Sequence, residues 1–141
     1  MPRLAGTDMA TLHDEVHIEA PPEAIWDAAR DFGALHTRLV PGFVVDTRLE
    51  GDGKARLVTF ANGMAVREIL VSVDDQRRRL AWTATGGRAT HYNAVLELFA
   101  DGPGTRVVWT IDLLPDEVAA PVAAMQASGL ATMKKTFGRR S

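Results

Sequence analysis

The sequence contains no cysteine among its 141 residues. This absence excludes disulfide bonds, thiolate metal sites and cysteine nucleophiles, and it is compatible with a reducing compartment. A large charge of one sign is also missing, because the formal net charge is only −2. No overall field would draw the protein to nucleic acid or to an anionic membrane, so we expect neither as a partner.

Long hydrophobic runs are absent as well. The opening "MPRLAGTDMATLHDE" has no apolar stretch of about 7 to 15 residues, so we expect no secretory signal and no membrane anchor, and we predict a cytoplasmic protein. The sequence has no GxSxG elbow, phosphate loop, dinucleotide fingerprint or HExxH motif, so no cofactor is expected. What it does have is 46% hydrophobic residues, which is enough for one substantial core.

The first part of the chain predicts a strand followed by two short helices. Residues 1–10 are small and polar and are predicted to be a flexible terminus, which leaves residues 11–141 as a single domain. "TLHDEVHIEA" alternates as a strand does, and "PPEAIWDAARDF" begins with prolines and predicts a helix over about 22–31. "GALHTRLVPG" predicts a second short helix that Pro41 and Gly42 end.

The rest of the chain predicts six strands and one long helix. Six short alternating runs, from "FVVDTRLE" to "TRVVWTIDLL", are separated by turn residues that leave no room for crossover helices, so they should form an antiparallel meander. "DEVAAPVAAMQASGLATMKKTFG" then has helical spacing and should be bent at Pro121 unless that proline lies in the first turn. The predicted class is α+β, a seven-stranded curved antiparallel sheet wrapped around the C-terminal helix.

This order of elements resembles the SRPBCC superfamily, also called START-like or helix-grip. The residues that carry the resemblance are "IEAPPEAIWDAARDF", "NGMAVREIL", "DDQRRRLAWTATGGRATHYNAVLEL" and "GTRVVWTIDLLP", and the similarity extends over about residues 12–138. Within the superfamily, the sequence is most similar to the polyketide cyclase/dehydrase-like group and more loosely to plant abscisic acid receptors. The similarity is specific for fold rather than for chemistry, because members of this superfamily serve many functions.

The resemblance implies a deep cavity between the curved sheet and the C-terminal helix. In the receptor branch, the loop matched by "FANGM" acts as a gate and the one matched by "TGGRATHY" as a latch, and the positions of Glu68, Trp82 and Tyr92 face the cavity. This sequence departs from the receptors because its gate has no proline and Val40 stands near the place of their lysine. Both departures argue against a receptor for a carboxylate hormone.

Strand alternation shows why a carboxylate in "VREILVSVDD" requires an explanation. It places Met64, Val66, Glu68 and Leu70 on one face, so that Glu68 shares the side of apolar residues. A small-ligand site needs an apolar wall with a few inward polar groups, and Glu68, Tyr92 and Gln126 would be those groups. The predicted ligand-binding residues are Phe60, Met64, Val66, Glu68, Trp82, Tyr92, Ala94, Trp109, Met125, Gln126, Gly129 and Met133.

Glu68 has a second, purely structural interpretation. A buried carboxylate is costly unless it is paired, and Arg56 or Arg88 on adjacent elements could supply the partner. The tryptophans, the methionines and Tyr92 could equally be ordinary core residues. Both interpretations of these residues stay open at the level of the sequence.

The four histidines do not have the spacing of a metal site. His13 and His17 are four residues apart, but on a strand this places them about 13 Å apart, so we predict no metal. His91 lies beside the "GG" loop and could serve as an acid or base at the cavity mouth, as could His36 near the same opening.

Three functions are compatible with these features. The first is binding of a small apolar or amphipathic molecule in the cavity, as a carrier, a sensor or a holder of an intermediate. The second is an enzyme of the cyclase or dehydratase type, in which Glu68, Tyr92 or His91 transfers a proton. The third is an interaction protein with a closed core. The protein is expected to be a monomer or a homodimer.

Overall fold

The computed structural model describes residues 9–138 and confirms the predicted α+β helix-grip architecture. Its seven strands form one antiparallel sheet, and a long helix follows the last strand. The strands are β1 (Ala10–Ile18), β2 (Val44–Glu50), β3 (Ala55–Phe60), β4 (Ala65–Asp74), β5 (Arg79–Thr85), β6 (His91–Asp101) and β7 (Gly104–Leu114). The helices are α1 (Pro22–Ala29) and α2 (Ala119–Gly138).

The sheet is the predicted meander with the first strand added at its end. The strand order is β1-β7-β6-β5-β4-β3-β2, so each hairpin joins neighbouring strands and only β1 pairs out of sequence, with β7. The register shifts between Val44 and Asp46 in β2 and between Leu70 and Ser72 in β4. Such bulges increase strand bending and twist, which allows the sheet to curve around α2.

The two short helices between β1 and β2 differ in kind. Helix α1 begins at Pro22, where a proline costs no hydrogen bond, and buries Ile25 and Trp26. The second predicted helix is a single π-helical turn at Leu35–Leu39, closed by a 3.0 Å hydrogen bond from the Val40 N–H to the Leu35 carbonyl. It is shorter than "GALHTRLVPG" suggested because the residue before a proline disfavours helical geometry.

The position of Pro121 in the C-terminal helix determines whether the helix must bend there. A short 3₁₀ turn, Asp116–Val118, precedes α2, and Pro121 is the third residue of α2. A proline in the first turn removes no intrahelical hydrogen bond, so no bend is required there. The buried stripe of the helix consists of Gln126, Gly129, Leu130 and Met133.

The predicted flexible terminus lies mostly outside the described residues. Residues 1–8 are not described, and Ala10 already belongs to β1, where it pairs with Leu113. The boundaries of the single domain, 11–141, stay a prediction. Among residues 9–138, no helix is long and apolar enough to cross a membrane.

Candidate ligand-binding cavity

Two adjoining cavities lie in the region where the sheet, the π-helical turn and α2 meet. The outer cavity has a volume of about 520 Å³ and the inner chamber about 50 Å³. We call the residues that line both of them the neck. The neck consists of Phe43, Phe60, Glu68, Tyr92 and Met125.

The inner chamber has a wall of aromatic and aliphatic side chains. Trp82 and Trp109 come from β5 and β7, and their ring centroids are 6.3 Å apart. Both indoles are buried, at 6% and 8% exposure. Outside the neck, the remaining lining residues are Ala29, Leu35, Leu39, Val40, Val44, Arg56, Leu80, Trp82, Leu96, Trp109 and Met133.

The carboxylate of Glu68 is paired with a buried arginine. The register of β3 and β4 places Arg56 directly opposite Glu68. Arg56 Nε donates to Glu68 Oε1 at 2.8 Å, and Arg56 Nη2 lies 2.7 Å from the same oxygen. Arg56 Nη1 also donates to the Phe32 carbonyl at 3.0 Å, and the guanidinium stacks 3.8 Å above the Phe32 ring.

The structure shows which of the two candidate arginines pairs with Glu68. Arg56 is the partner, whereas Arg88 lines the outer cavity. Both Arg56 contacts fall on the same carboxylate oxygen, Oε1. Glu68 also lies in the neck, so structural pairing and access to a ligand are compatible at this position.

The outer cavity is formed by two hairpin loops and the start of α2. The "FANGM" loop contributes Asn62 and Met64, and the "TGGRATHY" loop contributes Gly87 and Arg88. These are the loops that the family resemblance matched to a gate and a latch. Outside the neck, the lining residues are Ala61, Asn62, Met64, Val66, Ala84, Gly87, Arg88, Ala89, Val118, Pro121, Val122 and Ala124.

Tyr92 keeps its proton under ordinary conditions. Burial raises the pKa of the Tyr92 hydroxyl well above its usual range, and the negative charge of nearby Glu68 raises the pKa further. A neutral phenol in the neck can donate a hydrogen bond to a ligand. Its raised pKa makes it a weak proton donor, and a phenol that stays protonated cannot act as a base near neutral pH.

Most of the predicted ligand-binding residues line one or both cavities. Those that do are Phe60, Met64, Val66, Glu68, Trp82, Tyr92, Trp109, Met125 and Met133. The sequence analysis missed Phe43, whose ring packs edge-on against Phe60 with centroids 5.4 Å apart. Phe43 opens the run "FVVDTRLE" and stands just before β2. Three consecutive apolar residues there gave no alternation that would assign its ring to the cavity side.

Three predicted ligand-binding residues do not line either cavity. The side-chain amide of Gln126 donates to the Trp109 carbonyl at 2.8 Å, so Gln126 joins α2 to β7. Gly129 gives Trp109 and Phe43 room to pack, because a Cβ atom there would lie 2.9 Å from the Trp109 ring. Ala94 lies buried between Trp82 and Ile111 on the neighbouring strands, and its side chain is too short to reach the cavity.

His91, the third predicted residue for proton transfer, lies outside both cavities. It is exposed at the start of β6, and strand alternation turns it away from Tyr92. His36 lines neither cavity. No group of three or more potential metal-ligating residues is found between residues 9 and 138.

The presence of the cavities argues against the closed-core alternative. That interpretation required the space between sheet and helix to be filled by the protein's own side chains. The outer cavity is large enough for a small organic molecule, since ligand pockets typically measure about 300–1,000 Å³.

Comparison with solved structures supports the same fold. An uncharacterized protein from Bacillus thuringiensis superimposes with a TM-score of 0.82 at 18% identity, covering 91% of this chain and 98% of that one. Zhui aromatase/cyclase from Streptomyces sp. R1128 gives 0.79 at 17% identity over 94% and 95% of the two chains. Ara h 8.0201 gives 0.72 at 18% identity over 92% and 97%.

These likenesses establish the fold alone, because the identities are low. No curated protein matches the sequence. A family model described as "Polyketide cyclase / dehydrase and lipid transport" matches residues 9–138, which is most of the chain. The protein therefore belongs to the polyketide cyclase/dehydrase and lipid transport family, within the SRPBCC superfamily.

Proposed function

We propose that the protein binds one small, mostly apolar or amphipathic molecule between the sheet and α2, as a carrier, a sensor or a holder of an intermediate. The observation that carries this proposal is the outer cavity of about 520 Å³. Its wall is mainly apolar, which supplies affinity, and the few polar groups in the neck can orient a ligand. The lipid transport named in the family description agrees with this function.

The test compares two alanine-to-tryptophan variants in the same sheet. Ala84 lines the outer cavity, whereas Ala100 is exposed and lines neither cavity. An indole at position 84 would occupy the space of the ligand, so Ala84→Trp should abolish uptake from a panel of apolar ligands. Ala100→Trp should bind like the wild type. Native mass spectrometry and calorimetry would measure the uptake, and equal binding by both variants would contradict the proposal.

A second candidate is an enzyme of the cyclase or dehydratase type. It is favoured by Tyr92, a neutral phenol that lies beside Glu68 in the neck. Such a phenol can polarise a carbonyl group of a bound substrate by donating a hydrogen bond to its oxygen while the cavity orients the chain. Zhui is titled an aromatase/cyclase, which agrees with this candidate.

Two conservative variants separate carriage from catalysis. For an enzyme, Tyr92→Phe and Glu68→Gln should lower turnover of a bound substrate while its dissociation constant changes little. For a carrier, the same variants should alter only affinity, and mass spectrometry should find the ligand chemically unchanged after incubation. Because His91 lies outside both cavities, His91→Gln serves as the control and should affect neither quantity.

A further inference from the structure

Strand β2 lies at one end of the sheet, and its outer edge is open. The strand order places β1 and β2 at the two ends, so each of them has one side without a neighbouring strand. Within the described part of the chain, the backbone of residues 45–49 forms no hydrogen bond other than those of its ladder with β3. We call this segment the β2 edge. An open edge presents unpaired N–H and C=O groups that can pair with another strand.

The charged side chains of the β2 edge have no partners in the folded chain. Asp46 and Arg48 are exposed and share one face of the sheet, opposite Thr59 and Leu57 of β3. Among the described residues, neither Asp46 nor Arg48 forms a side-chain hydrogen bond or an ion pair. Two opposite charges therefore stand on the open edge without being used.

The other open strand, β1, is different because its charged side chains are used within the chain. Glu15 Oε2 lies 2.8 Å from Arg106 Nη1 on β7. His17 Nδ1 lies 3.0 Å from Asp101 Oδ2 on β6. Unused charges therefore distinguish the β2 edge from the β1 edge.

The β2 edge is complementary to itself when two copies run antiparallel. When Thr47 faces Thr47 of a second copy, Asp46 of each copy lies opposite Arg48 of the other. Opposite charges in facing positions stabilise a strand pair, and like charges destabilise it. The same alignment brings Val45 of each copy beside Leu49 of the other. These two side chains are 53% and 51% exposed, so the pairing would also cover apolar surface.

Registers centred on other residues of the β2 edge fit less well. Facing residues of a strand pair point to the same side of the sheet, so the two-fold axis passes at a residue position and not between two. Centring the pair on Asp46 or on Arg48 would set identical charges against each other. Centring it on Leu49 would use Glu50, which already pairs with Arg67 at 2.8 Å.

We propose that the β2 edge is a self-association surface, on which a second copy of this chain adds its own β2 antiparallel, centred on Thr47, to make one continuous sheet. This inference goes beyond the proposed ligand-binding function and does not depend on it, because residues 45–49 line neither cavity. The contact is isologous and small, so the dimer should form reversibly and depend on protein concentration.

Charge reversals at the two facing positions test the pairing. Asp46→Arg places an arginine opposite Arg48 twice in the symmetric dimer, and Arg48→Asp likewise places carboxylates opposite each other. Each variant should raise the dissociation constant of the dimer at least about tenfold in sedimentation velocity. Arg77→Asp is the control, because it makes the same charge change at an exposed residue of the β4–β5 turn. It should leave the dissociation constant unchanged.

Recombination of the two reversals separates loss of pairing from misfolding. In an equimolar mixture of Asp46→Arg and Arg48→Asp chains, two arginines of one copy face two aspartates of the other. A heterodimer should therefore form although each variant alone is monomeric. The double variant Asp46→Arg/Arg48→Asp should regain the homodimer, because its facing charges are again opposite.

Three results would overturn the inference. The first is a wild-type chain that stays monomeric up to millimolar concentration. The second is a wild-type dimer that both reversals leave intact, because such a dimer must use another surface. The third is a pair of folded, singly reversed chains, checked by circular dichroism, that do not associate when mixed.

Discussion

The inner chamber and the outer cavity adjoin each other, but their walls are held in place in different ways. Trp82 and Trp109 in the inner wall are 6% and 8% exposed and belong to the hydrophobic core. Met64 in the outer wall is 40% exposed and follows the turn at Gly63, which has a positive φ of 89°. These inner-wall residues therefore belong to the core of the fold, whereas Met64 in the outer wall can change with little effect on the fold.

The largest expected effect is the loss of Arg56. Arg56→Met would leave Glu68 as a buried carboxylate without its cation, which should lower the free energy of unfolding by about 3–5 kcal/mol. Urea unfolding followed by circular dichroism would measure the loss. The double variant Arg56→Met/Glu68→Leu should regain much of it, because removing both charges leaves no unpaired ion.

Arg38→Met is the matched control for a surface site. Arg38 contacts Asp27 and Asp31, but it is 40% exposed, and surface ion pairs contribute only about 0–1 kcal/mol. Equal losses for Arg56→Met and Arg38→Met would show that the ion pair at the inner wall has no special role in stability.

A smaller effect is expected where α2 meets the inner wall. In Gly129→Ala, the new Cβ atom would lie 2.9 Å from Trp109 and 3.2 Å from Phe43. The resulting strain of about 1–3 kcal/mol should exceed the gain of about 1 kcal/mol in helix propensity. We expect a net loss of stability in thermal and urea unfolding.

Gly138→Ala is the control within the same helix. A Cβ atom at this position would lie 3.8 Å from its nearest neighbour in Lys134, so it causes no crowding. This variant should be neutral or slightly stabilising. If Gly129→Ala stabilises the protein as much as Gly138→Ala does, the close packing of α2 on the inner wall is not rigid.

At Met64 in the outer wall, we expect a substitution to affect ligand binding more than stability. Met64→Ala should change the free energy of unfolding by no more than about 0.5 kcal/mol, because Met64 is already 40% exposed and lies outside the hydrophobic core. It should weaken ligand binding several-fold, because each lost methylene contact contributes about 0.8 kcal/mol when buried. Met9→Ala, at a residue that is 52% exposed and lines neither cavity, should change neither stability nor binding. A stability loss at Met64 comparable with that at Gly129 would remove the distinction between the walls.

The smallest effect is expected at His17, which lies outside both cavities. Hydrogen bonds to Asp101 and then to Glu19 raise the pKa of His17 above 6.5. The contribution of protonated His17 to the stability of the fold is therefore complete below about pH 6.5. It is lost as the pH rises through the raised pKa of His17 in the folded state. The stability difference between wild type and His17→Asn should shrink from pH 5 to pH 9 in urea unfolding. A constant difference across this range would contradict the prediction.

The faces of the strands could be read from the sequence, but their register could not. Alternation correctly assigned Val66 and Glu68 to the buried face and Arg67 and Ile69 to the exposed face of β4. It could not choose between Arg56 and Arg88 as the partner of Glu68. That choice depends on which residues of β3 and β4 stand opposite each other, and the geometry of the hairpin turn decides this.

For the buried stripe of α2, the sequence likewise predicted the buried face but not the contacts that each residue makes. Its spacing predicted that Gln126, Gly129 and Met133 face the sheet, and all three are buried. Which of them reaches the cavity depends on the position of α2 over β7. In the folded protein Gln126 is used to bond the Trp109 carbonyl, and only Met133 of the three lines a cavity.

The sequence by itself determined the element order, the buried faces and the family, because periodicity and turn residues act locally along the chain. Tertiary structure alone decided the Arg56–Glu68 pair and the division into two cavities. The physical reason is that these features arise between strands and helices distant in sequence. Their geometry is set by register, bulges and helix placement, which no local pattern specifies.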